Sequence, residues 1–226
     1  MIYVQRAWLL ALPLLFGCEQ TGNNRPALPL PPPSFDPPMV RIGSPTATLA
    51  REQAPPVPVP ARPAHPEWTT RVAARAWRYI VIHHSATARG SAATFDRSHR
   101  ERGWDGLGYH FVIGNGTNTA DGVVEVGPRW TAQQRGAHAG VDLYNEQGIG
   151  ICLVGDFNTG RPSKMQLESL AELVAYLMRQ NGIPAERVLG HRDCKPTDCP
   201  GRNLDMGVVR QMAQRVIAVP TAAPRR

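Results

Sequence analysis

Tyr79-Ile80-Val81-Ile82-His83-His84-Ser85 is the stretch on which the fold turns. Its first four residues are aromatic or β-branched, with no polar residue to mark a wet face. That pattern predicts a strand buried on both sides, in the middle of a sheet. The strand is expected to end at the histidine pair, so two imidazoles stand where buried backbone meets a loop. Working outward, residues 92–102 are polar and Arg-rich and predict a helix stopped by Gly103. Gly108-Tyr109-His110-Phe111-Val112-Ile113 predicts a second strand, and the turn dipeptides Asn115-Gly116 and Asp121-Gly122 lead into a third over 123–126. Residues 149–154 predict another buried strand. Ser163 and Gln166 have the spacing of a capping box, and Leu167, Leu170, Leu173, Val174, Leu177 and Met178 recur at helical spacing until Gly182 and Pro184. A short strand over 187–189 feeds the loop from Gly190 to Pro200. Strands and helices alternate irregularly, which predicts a single α/β domain: a central mixed β-sheet flanked by helices.

The chain has 226 residues, but composition divides it. Between Pro26 and Pro66 lie 14 of its 22 prolines, without an apolar period, so this stretch cannot build a core and reads as a disordered, polyproline-like spacer. Arg6 precedes an apolar run over 7–16 that is too short to span a bilayer and reads as an export signal. The run ends Leu15-Phe16-Gly17-Cys18, similar to a bacterial lipobox, although Phe16 is bulkier than is usual there. The expected organisation is a signal peptide over 1–17, a linker over 18–67, a folded domain over 68–215 and a tail over 216–226. Cys18 would be the lipidated first residue of the mature chain, and ordinary cleavage with Cys18 as a bystander is the alternative. Glu19 after Cys18 points, by analogy with bacterial sorting rules, to an outer-membrane lipoprotein facing the periplasm. About 40 spacer residues at roughly 3.1 Å each would reach on the order of 100 Å, enough to carry a tethered monomer from membrane to wall.

Net charge is +7, nearly all from arginine, since Lys164 and Lys195 are the only lysines. Such a surface suits an acidic partner, including a carboxylate-rich wall polymer. No aromatic RNA-binding signature, basic-region helix or paired CxxC motif is present, so nucleic acid is not the expected partner.

His83, His191 and Cys199 are candidate zinc ligands. Two imidazoles and a thiolate would leave a fourth, catalytic position for water. Spacing alone does not single them out, because His-x7-Cys is no standard finger pattern. His84 and His110 fall on strand faces opposite His83 and Tyr109 and read as structural or supporting groups. His65 falls in the linker.

Taken in order, Ile82-His83-His84-Ser85-Ala86, Gly103-Trp104, Gly108-Tyr109-His110-Phe111, His138-Ala139-Gly140, Ile149 through Gly155, and Gly190-His191-Arg192-Asp193 through Cys199-Pro200-Gly201 resemble the type 2 N-acetylmuramoyl-L-alanine amidases. That family includes phage lysozyme amidases and peptidoglycan recognition proteins, and the resemblance covers roughly residues 79–204. It implies zinc on His83, His191 and Cys199, and catalytic roles for Tyr109 and Thr197. It also implies substrate contacts from His138, with Asn145, Arg129 and Trp130 near the cleft and His99 either structural or groove-lining. The implied reaction is hydrolysis of the amide between N-acetylmuramic acid and L-alanine in peptidoglycan or muropeptides. A non-catalytic peptidoglycan-binding module is the main alternative, and relatives of that kind typically lose the cysteine that Cys199 retains. A cytosolic amidase recycling muropeptides is disfavoured by the export signal. A structural zinc protein would need a fourth ligand, for which Cys194 is the nearby candidate. Some branches carry a glutamate base at the position of Cys152, so this chain departs from them there. Cys152 reads either as a buried free thiol or as a disulfide partner of Cys194.

Overall fold

The computed structural model describes residues 65–219. The expected leader, the lipidation site Cys18 and nearly all of the Pro-rich linker lie outside the described residues. In chain order come β1 (Tyr79–His84), α1 (Ala92–Glu101), β2 (Phe111–Ile113), β3 (Val124–Val126), α2 (Pro128–Thr131), α3 (Asp142–Gln147), β4 (Gly148–Leu153), α4 (Lys164–Asn181), β5 (Val188–Gly190) and α5 (Met206–Ala218). The five strands form one sheet in the order β3-β2-β4-β1-β5. Only the β2–β3 pair is antiparallel, and every other neighbour is parallel. The mixed α/β sheet expected from the sequence is therefore present. β1 runs two residues further than expected and takes both histidines into the ladder, where His83 pairs with Cys152 and His84 with Leu153.

Side-chain alternation gives the sheet two different faces. Ile80 and Ile82 of β1, Phe111 and Ile113 of β2, and Ile149, Ile151 and Leu153 of β4 join one large buried cluster. The apolar face of α4 completes that cluster with Leu170, Leu173, Val174 and Leu177, and α5 adds Val209 and Ala213. The capping box of α4 forms as expected: Ser163 Oγ accepts from the Gln166 N–H and Gln166 Oε1 accepts from the Ser163 N–H. The Gln166 amide then donates to the Val154 carbonyl, tying the helix to the end of β4. Gly182, with φ of 63°, closes the helix.

On the opposite face, β4 presents Gly148, Gly150 and Cys152 in alternation with its three large residues. Val112, Cys152, Val154 and Leu107 make a smaller buried cluster there, against Ala92 and Phe95 of α1 and Tyr109. This face holds the polar groups described below. α5 was not foreseen: Asp205 caps it by accepting from the Gly207 and Val208 N–H groups, and it runs to Ala218. His65, expected in an inert linker, stacks on the buried Trp68 indole with ring centroids 3.9 Å apart. Among the described residues no helix is long and apolar enough to cross a membrane.

Candidate metal centre

Three chain segments converge at the C-terminal end of β1. His83 lies on the strand itself and is 1% exposed, because β4 and β5 flank it. His191 follows directly after β5, whose Gly190 pairs with Ile82. The turn that starts at His191 is fixed when the Asp193 carboxylate accepts from the Gly190 N–H at 2.8 Å. Cys199 comes from the following loop, which is drawn back when the Arg192 N–H donates to the Cys199 carbonyl at 2.8 Å. One ligand atom from each of His83, His191 and Cys199 lies within 4.8 Å of the other two. Cys199 Sγ stands 3.6 Å from His83 Nδ1, and the two imidazole centroids are 4.5 Å apart.

This donor set fits a metal ion, and zinc in particular, which favours imidazole nitrogen and thiolate. Protonation supports the fit. Burial holds His83 well below its ordinary pKa, reinforced by His138, His191 and His84. His191 is lowered by burial and by Lys195, so both imidazoles are neutral at pH 7. Burial pushes the Cys199 thiol up to about 11, so a metal must displace one proton, from sulfur. His191 Nε2 lies 2.9 Å from the Ala139 carbonyl and so carries the proton, which leaves its Nδ1 lone pair bare. Cys194 does not belong to the group of ligand atoms, and its thiol faces the Gly190 carbonyl instead. Cys152, Cys194 and Cys199 are all free thiols.

Tyr109 stands beside the cluster, with its ring centroid 5.3 Å from that of His83. Burial, then the neighbouring Cys152 and Cys199 sulfurs, raise its phenol well above the ordinary value, so it stays protonated. It packs against the small buried cluster that contains Cys152. Thr197 is exposed, and its Oγ1 accepts from the Cys199 N–H at 3.3 Å. Cys152 occupies the sheet position next to His83, and burial pushes its thiol far up, so it cannot replace a carboxylate base.

Four residues expected at or near the substrate cleft are buried. His138 is 8% exposed and lies behind His83, with its Nδ1 3.0 Å from His83 Nε2. Asn145 is buried and spends its side-chain oxygen on the N–H groups of His138 and Ala139. Arg129 is buried, donates to the Leu107 and Arg135 carbonyls and pairs with Asp105. Trp130 is buried against Phe111 and donates its indole N–H to the Trp68 carbonyl. His138 and Asn145 thus support His83 from within, whereas Arg129 and Trp130 are held by Leu107, Arg135, Asp105 and the large core cluster. His84, His99 and His110 each accept a backbone N–H at Nδ1, from Phe157, Gly108 and Gly150 respectively. A bracing role for Asn145 was missed, since nothing in the sequence marks which backbone groups an asparagine will reach. Lys195 was also missed: its side chain packs over Gly140, where an added Cβ would stand 3.0 Å from Nζ, at the rim beside His191.

Residues 73–202 match the family described as N-acetylmuramoyl-L-alanine amidase. Peptidoglycan-recognition protein LB of Drosophila melanogaster is 36% identical over 137 residues, covering 56% of this chain and 55% of its own length. A second peptidoglycan-recognition protein, from Drosophila simulans, is 32% identical over 156 residues, covering 65% of this chain and 78% of its own. The chain thus spans about half of the first relative and over three quarters of the second. Among solved structures, the N-acetylmuramoyl-L-alanine amidase LysC from Clostridium intestinale URNW superposes with a TM-score of 0.53 at 30% identity, covering 61% of this chain and 85% of that one.

Proposed function

Because the chain belongs to the N-acetylmuramoyl-L-alanine amidase family, we propose that it is a zinc-dependent hydrolase of the amide joining N-acetylmuramic acid to L-alanine in peptidoglycan or its fragments. The observation that carries this reading is the convergence of two neutral imidazoles and one thiol within 4.8 Å. Retention of Cys199 favours turnover over mere binding, since a two-histidine remnant would hold zinc poorly. When bound, zinc supplies an acidified water and a Lewis acid for the scissile carbonyl. In the overall reaction water adds to the lactyl carbonyl, the C–N bond breaks, and the nitrogen leaves as the amine of L-alanine.

The chain's own residues divide the remaining work. His83, His191 and Cys199 would hold the ion, and Thr197 steadies the ligand loop through the Cys199 N–H. Tyr109 is a phenol that keeps its proton, so it serves as a hydrogen-bond donor to the developing oxyanion rather than as a base. Thr197 is exposed two residues before Cys199, and because its oxygen accepts from the Cys199 N–H its hydroxyl proton is available to a substrate oxygen. Lys195 places an ammonium at the rim, which suits a stem peptide bearing carboxylates. We further propose a cell-envelope location with a lipid anchor at Cys18 and peptidoglycan as the partner. The supports are the apolar run over 7–16, the lipobox-like ending at Cys18 and the Pro-rich reach behind it.

The test is digestion of purified peptidoglycan by the full mature chain, read by mass spectrometry. Free stem peptides beginning with L-alanine are expected, and both a chelator and Cys199→Ser should abolish them. Retention of peptidoglycan without such peptides, on zinc-loaded protein, would replace the enzyme by a binding module.

A further inference from the structure

We propose that His138 is a positioning residue: seated in a slot between Gly136 and Gly150, it fixes the tautomer of His83 so that the His83 Nδ1 lone pair faces Cys199 and the metal position. The inference rests on reading His83 as a metal ligand, and it assigns His138 a role other than substrate contact.

The slot is built for an imidazole. A Cβ placed on either Gly136 or Gly150 would overlap the His138 ring, so both glycines are required by close approach. The backbone is clamped as well, because Asn145 Oδ1 accepts from both the His138 and the Ala139 N–H at 2.9 Å. His138 Nε2 lies 3.3 Å from the Gly148 carbonyl, which can only accept, so Nε2 carries the proton. In the one-proton form of the ring, that leaves its Nδ1 as an acceptor. The group facing that Nδ1, 3.0 Å away, is His83 Nε2, which must donate. His83 Nδ1 is then left bare, 3.6 Å from Cys199 Sγ.

The hydrogen-bond direction thus runs from His83 through His138 to the Gly148 carbonyl. The next residue does the same for the other imidazole, since the Ala139 carbonyl accepts from His191 Nε2. One dipeptide, held by one asparagine, sets both histidine tautomers before any ion arrives. Partners of this kind orient metal-binding imidazoles and raise their basicity.

The experiment uses the full chain carrying 15N-labelled histidine, with long-range proton–nitrogen NMR on the metal-free protein and zinc titration beside it. Wild type should show His83 as a single Nε2–H tautomer. His138→Phe fills the slot without an acceptor; it should give a mixed His83 tautomer and weaken zinc binding about 10- to 100-fold. His138→Asn can place an amide oxygen near the former Nδ1 and should recover part of the affinity, which a purely space-filling role does not predict. An Nδ1–H tautomer at His83 in wild type would overturn the proposal, as would a His138→Phe protein with unchanged tautomer and unchanged zinc affinity. Should His138→Phe fail to fold, the wild-type tautomer and the Phe-free His138→Asn comparison still decide it. A chain that shows this tautomer control yet releases no stem peptides would sink the amidase reading and leave the inference standing.

Discussion

Tyr109 is the residue whose protonation state most constrains the chemistry. A phenol held well above its ordinary pKa by burial cannot accept a proton near neutrality, yet it can donate a hydrogen bond throughout that range. Burial likewise pushes the neighbouring Cys152 thiol far up, so neither residue can act as a general base near neutrality. Tyr109→Phe should therefore lower kcat about 10²- to 10³-fold while zinc content stays at the wild-type level, measured as stem-peptide release by metal-loaded protein. Equal loss of zinc in that variant would recast Tyr109 as a support for the ligands. At this scale the meeting of His83, His191 and Cys199 was legible because several motifs occur in order, not because of spacing. The role of His138 was not legible. Whether a loop histidine faces solvent or a neighbouring imidazole depends on the two glycines that flank its ring, and these lie 2 and 12 positions away in sequence.

At the scale of elements, β4 is the piece that makes a site possible. Its large residues Ile149, Ile151 and Leu153 are buried beneath α4 and α5, while Gly148, Gly150 and Cys152 leave room on the other face for His138 and Tyr109. Gly150→Ala is expected to push the His138 ring out of its slot. Overpacking of this kind costs about 1–3 kcal/mol, visible as a lowered Tm, and zinc affinity should fall with it. A variant as stable and as zinc-avid as wild type would show that the slot has slack. The strands of the sheet were readable from β-branched runs, and α4 from its cap and its 3.6-residue period. The shorter α2 and α3 carry too few turns to show a period. α5 went unread although Asp205 caps it and Met206, Val209 and Ala213 bury at helical spacing, because the Gly- and Arg-interrupted run between them shows little apolar contrast.

For the whole molecule, a sheet with one oily face and one imidazole-rich face makes stability depend on pH. His110 is buried, accepts from the Gly150 N–H, and titrates at about 3 in the fold against an ordinary 6.5. Between those values the unfolded chain binds the extra proton, so the stability His110 contributes is complete above about pH 6.5 and is lost as pH falls toward 3. The metal-free protein should accordingly lose Tm steadily below pH 6.5, and His110→Gln should flatten that slope; a Tm unchanged down to pH 4 would contradict the assignment. In the function proposed above, His83, His191 and Cys199 hold one zinc ion that the chain uses to cut the muramoyl–alanine amide. Its most direct test is a zinc titration of the metal-free chain, following release of L-alanine-initiated stem peptides from peptidoglycan. Release should climb with added zinc and level off at one equivalent per chain, with no climb for Cys199→Ser. Metal-free protein that cuts as fast as loaded protein, or one bound zinc without any release, would contradict the claim.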